Sequence, residues 1–92
     1  MDDSLKMMLE LARKNAQRGF SVDARIMVAN WLDIPYFQKV YNKIRELMIE
    51  EGQMTRGLAM YQCEKDVQML EWVRNNISKE AYDQIKSALE GL

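Results

Sequence analysis

The sequence predicts an all-α protein, a single-domain bundle of about five helices over residues 1–92. Three observations predict it. Apolar residues recur at spacings of three and four through most of the chain, the period of a helix with one buried face. Ser, Asp, Gly and a single Pro stand between those periodic stretches, where helices start and stop. No internal repeat, low-complexity tract or Ser/Gly linker interrupts the pattern.

The first helix opens at Asp2-Asp3-Ser4, acceptors for the free N–H groups of an opening turn, and carries Leu5, Met8, Leu9, Ala12 and Ala16 on one stripe. Arg13, Lys14 and Arg18 complement the negative end of its dipole, and Gly19 ends it. Ser21 is expected to cap a second helix reaching about Leu32. Its Val22, Ile26, Met27, Val28, Ala29, Trp31 and Leu32 leave little polar face, which places it at the centre of the bundle. Pro35 suits the first turn of a third helix, with Asp33 ahead of it as acceptor, and Phe37, Val40, Tyr41, Ile44, Leu47 and Met48 step along one face to Gly52.

Residues 52–57 read as a turn or loop. Beyond them Met60, Cys63, Val67, Leu70, Val73 and Ile77 keep a three-four spacing that predicts a long fourth helix, its apolar face widened by Met69 and Trp72. A hairpin over Gln53–Gln62 is the alternative there, although Leu58, Ala59 and Met60 suit a helix better. Ser78 caps a last helix in which Tyr82, Ile85 and Leu89 align, with Ile77 and Tyr82 at the two positions of a hydrophobic staple.

Apolar residues make up 48% and charged residues 29% of the chain, the balance of a globular protein rather than a disordered one. The longest apolar run, Ile26-Met27-Val28-Ala29, falls far short of the roughly 20 residues that cross a bilayer, and no signal-like segment leads the chain. One cysteine forms no internal disulfide; a cytoplasmic location is expected. Net charge is −1, but residues 1–46 hold eight Lys/Arg against six Asp/Glu and residues 47–92 five against eight, so a basic face is expected only in the first half.

The chain contains no histidine, which removes the commonest general base and metal ligand along with Ser-His and Cys-His nucleophile pairs. Cys63, on the apolar stripe of the fourth helix, is assigned to the core. The carboxylate pairs Asp2/Asp3, Glu50/Glu51 and Glu64/Asp66 join no metal-ligand spacing and read as solvated surface. Glycines 19, 52, 57 and 91 are too dispersed to cradle a phosphate. No enzyme, cofactor, metal site or small-molecule substrate is expected.

Residues 21–48 form a helix-turn-helix-like segment, two helices joined by a tight turn with an alanine in the first. Asp33 stands where such modules favour glycine, and the spacing from Ala29 to Val40 is one residue long. If helix 35–51 read DNA, Tyr36, Gln38, Lys39, Asn42 and Lys43, with Arg25 nearby, would make the contacts.

Eight methionines need a place. Met8, Met27, Met48 and Met60 sit on or beside core stripes as filler. Met7, Met54 and Met69, with Tyr61, Trp72 or Tyr36, are candidates for an exposed patch marking a protein interface or homodimer seam. The leading expectation is therefore a small non-enzymatic adaptor, inhibitor or regulator that binds a protein partner or itself. A helix-turn-helix DNA-binding regulator is the alternative, and no membrane association is expected.

Overall fold

The computed structural model describes residues 3–92 and is all-helical among them. Five helices run in order: α1 (Asp3–Gln17), α2 (Ser21–Leu32), α3 (Pro35–Glu51), α4 (Arg56–Asn76) and α5 (Lys79–Ala88). Asp2 lies outside the described residues. Among the described residues no helix is long and apolar enough to cross a membrane.

Each helix packs on its neighbours in sequence, and α5 packs back on α1, so the five form a closed ring. The closure is parallel. Arg13, near the end of α1, reaches Ser87 Oγ at 3.4 Å and Glu90 at 3.8 Å, near the end of α5. Leu5, near the start of α1, borders Ser78 and Ala81 at the start of α5. Val28, Tyr41, Ile44, Met69, Val73, Ile85 and Leu89 fill the centre and are fully buried. α2 lies among them, burying Val22, Ala24, Arg25, Val28 and Ala29, whereas Ile26, Met27, Trp31 and Leu32 remain half-buried.

The helix ends follow local chemistry with two corrections. Thr55 and Ser78 cap α4 and α5, their hydroxyls accepting from Leu58 N at 3.2 Å and Ala81 N at 3.0 Å. Gly19 and Gly52 take left-handed φ values of 89° and 76° after α1 and α3. Ser21, expected to cap α2, is its first residue; Phe20 holds the cap position and its carbonyl accepts from Ala24 N. Asp33, expected to cap α3, closes α2 instead. Its φ of 53° is left-handed, and its own N–H donates to the Ala29 and Asn30 carbonyls, both at 3.1 Å. Asp33 thus adopts the conformation that glycine supplies in tight interhelical turns.

The largest correction concerns α4. The helix forms, with Gly57 inside it and no hairpin, but its buried face is Gln62, Lys65, Asp66, Met69, Leu70 and Val73. Met60, Cys63 and Val67 face solvent, and Ile77 lies beyond the helix end and is exposed. The inward direction is turned by about a quarter of a revolution from the one the apolar spacing indicated.

A polar network accounts for that rotation. Asp66, expected on the solvated surface, is buried, and its Oδ1 accepts from Arg25 Nε at 2.7 Å and from Tyr41 OH at 2.8 Å. Arg25 Nη1 also donates to the Ser21 carbonyl at 2.8 Å. One carboxylate oxygen therefore ties α2, α3 and α4 together across the ring. An ion pair with side chains only 4% and 3% exposed exists because each charge neutralises the other; either one alone would carry a large desolvation cost. Burial pushes the Tyr41 phenol well above its ordinary value, the adjacent Asp66 carboxylate adds to the rise, and Arg25 opposes it.

Candidate functional site

Turning α4 to bury Asp66 leaves its apolar residues outside. Met60, Cys63 and Val67 lie three, four and seven residues apart, so they share one side of the helix, and Met60 and Val67 are 66% and 56% exposed. Arg56 precedes this stripe and Glu64, Glu71 and Arg74 border it, all four exposed. The result is a short apolar strip between charges, the composition of an interface core and rim.

Beside the strip, between α4 and α5, runs a groove of about 300 Å³. Cys63, Val67 and Leu70 form one wall, with Tyr82, Lys86 and Leu92 opposite. Arg74 and Lys86 lie over the Tyr82 ring, 5.9 and 5.8 Å from its centroid, presenting cations at the groove's edge. A wider, open depression of about 610 Å³ follows the α1–α5 seam, where Lys6 and Arg13 are balanced by Glu10 and Asp83.

On the opposite flank of α4, Tyr36 and Tyr61 converge on Lys65. Lys65 Nζ donates to Tyr36 OH at 2.7 Å and to Gln68 Oε1 at 3.3 Å. It lies 5.3 and 5.2 Å from the Tyr36 and Tyr61 ring centroids. The hydrogen bond to Tyr36 raises the lysine pKa, partial burial opposes the rise, and the neighbouring tyrosines and Glu64 reinforce it. These contacts hold the rings in place and lock α3 to α4, leaving the lysine no free donor role at the surface.

The residues expected at a protein interface do not form one surface. Met69 is 0% exposed in the core, because the rotation of α4 carries it to the centre. Met54 and Trp72 are half-buried against the core, while Met7 on α1 and Tyr61 on α4 are exposed. Met60, expected as core filler, is among the most exposed apolar residues. The spacing of Met60, Cys63 and Val67 marks them as one stripe, but the stripe faces outward because α4 buries Gln62, Lys65 and Asp66 instead.

Of the residues expected to contact DNA, Arg25 is withdrawn into the Asp66 network, 3% exposed, with its guanidinium engaged. Tyr36 is exposed but bonded to Lys65. Lys39, Asn42 and Lys43 are exposed on α3 and Gln38 is half-buried. Asn42 Nδ2 donates to the Gln38 carbonyl at 2.8 Å, Lys43 lies 3.5 Å from Glu46, and the adjacent Arg45 pairs with Asp23 at 3.0 Å. No family model, curated protein or solved structure matches the chain.

Proposed function

We propose that this protein is a small non-enzymatic binding module that acts through association with protein, using the outer face of α4. The observation that supports this most is the exposed Met60–Cys63–Val67 strip, flanked by charges and continuous with the α4–α5 groove. An apolar strip at helical spacing with a ready cavity beside it is the surface on which helix-face recognition operates. Methionine suits the role because its unbranched, polarisable side chain adapts to what it meets.

Cys63 gives a direct test, since the chain has no other thiol. Alkylation by a maleimide is compared in native extract and in the dilute purified protein. A covered face slows Cys63 labelling in extract at least tenfold, and Val67→Glu removes that protection. Equal labelling rates in both settings, together with a purified chain that stays monomeric when concentrated, would overturn the reading.

DNA binding is the second reading, supported by Lys39 and Lys43 exposed on the first half of α3 and by the left-handed turn at Asp33. Its test is titration with unrelated duplex at about 50 mM salt, where phosphate contacts give an affinity that falls steeply as salt rises. No binding there removes it.

A further inference from the structure

We infer that the partner of the α4 face is a second copy of this chain, packed antiparallel across α4; the inference rests on the protein-binding reading above. Its basis is a symmetry in the order of the exposed residues. Along the outer face of α4 the order is Arg56, Met60, Cys63, Glu64, Val67, Glu71 and then Arg74, which lies over the Tyr82 ring and outside the symmetric set. Met60 and Val67 are equidistant from the point between Cys63 and Glu64, and so are Arg56 and Glu71.

Turning a second helix end for end about that point sets Met60 of each copy against Val67 of the other. The same operation sets Arg56 of each copy opposite Glu71 of the other, so both outer pairs are attractive. At 1.5 Å per residue the two ion pairs stand about 22 Å apart, about four helical turns, with the apolar contacts between them. This is an isologous interface, in which one patch serves both sides and the assembly closes at two. A parallel pairing in register would instead oppose Arg56 to Arg56 and Glu71 to Glu71.

One further feature fits the arrangement. The α4–α5 groove opens beside Val67, within reach of a methionine from the facing helix. The operation also brings the two Glu64 carboxylates to one rim. Each is already engaged within its own chain, accepting from Gln68 Nε2 at 3.3 Å and lying 3.8 Å from Lys65 Nζ.

The test uses the purified full chain in sedimentation equilibrium from about 1 μM to about 1 mM, the range in which a single helix-pair interface associates. The weight-average mass rises from the 10.9 kDa monomer toward twice that value. Arg56→Glu and Glu71→Arg each weaken association about tenfold or more, and the double variant Arg56→Glu/Glu71→Arg restores it. Both positions are exposed, and far-UV circular dichroism checks that each variant keeps its helices. A short bis-maleimide joins the two Cys63 thiols in the dimer and loses its yield in the single charge variants.

A monomer throughout the range, a dimer that Val67→Glu leaves intact, or a double charge variant that fails to recover would each overturn the inference. Cys63 protection in extract alongside a purified monomer would refute self-pairing while leaving the protein-binding reading in place. Absence of protection together with a purified monomer would refute both.

Discussion

At Asp66 a single carboxylate oxygen receives two donors from two other helices, and the arrangement makes strong demands on its neighbours. Asp66→Ala leaves the Arg25 guanidinium buried without a counter-charge, at a cost of about 3–5 kcal/mol, to be read as a fall in the urea midpoint. Replacing all three partners by apolar residues, Arg25→Met/Tyr41→Phe/Asp66→Leu, removes the orphaned charge and recovers most of that loss. Recovery distinguishes an electrostatic tie from a position that tolerates no change. Tyr41 adds a pH dependence. Its folded pKa lies above the ordinary 10.0, so the folded state holds the phenolic proton after the unfolded chain has released it. The resulting stability is fully present below pH 10.0 and is lost as pH rises beyond it. Lys65, raised by its bond to Tyr36, acts in the same direction. Tyr41→Phe therefore costs about 1 kcal/mol at neutral pH yet shows a shallower alkaline decline in stability, measured by urea unfolding between pH 8 and pH 11.

At the scale of the helix, α4 separates what a periodic pattern conveys from what it omits. The apolar period identified α4 as a helix because Met60, Cys63, Val67, Leu70 and Val73 recur at three and four. It misplaced the inward face because Gln62, Lys65 and Asp66 carry no hydrophobic signal, yet partners on α2 and α3 draw the last two inward. In α3 the buried Phe37, Val40, Tyr41 and Ile44 are residues the spacing indicates, with Leu47 and Met48 half-buried beyond them; in α5 Ile85, and Leu89 just past its end, are buried as the spacing indicates, whereas Tyr82 is half-buried and Ala81 and Ala88 are buried without a periodic signal. Of the candidate site only the common helical spacing of Met60, Cys63 and Val67 was legible; that these three, rather than Met7, Met54, Tyr61, Met69 and Trp72, form the exposed strip was not, because exposure depends on where the Arg25–Asp66 pair settles. The same rotation orders two substitutions. Met69→Ala, at a fully buried position, costs about 2–5 kcal/mol, whereas Val67→Ala changes the stability of the dilute chain by less than about 0.5 kcal/mol. Had the apolar spacing alone set the inward face, Val67 would be the costlier of the two; comparing their urea midpoints decides.

For the whole molecule, the pairing proposed above ties association to folding through the closed ring. With α5 packed back on α1, the apolar face of α5 is consumed in closing the ring and buries Ala81, Ile85 and Ala88. Among the described residues no helix covers the outer strip of α4. A second copy seated there binds only the folded state, because the strip exists as one surface only when α4 is formed and rotated by its buried charges. Association therefore stabilises the fold by mass action, in proportion to the logarithm of protein concentration once that exceeds the dissociation constant. The Tm of the wild-type chain accordingly rises as concentration increases from about 1 μM to about 1 mM, by several degrees for each kcal/mol of linkage in a domain this small. Met60→Glu, which places a charge at the centre of the pairing, gives a Tm independent of concentration and equal to that of the wild type at high dilution. A wild-type Tm that does not move over this range would separate folding from self-association, and a concentration dependence that survives Met60→Glu would place the contact on another face.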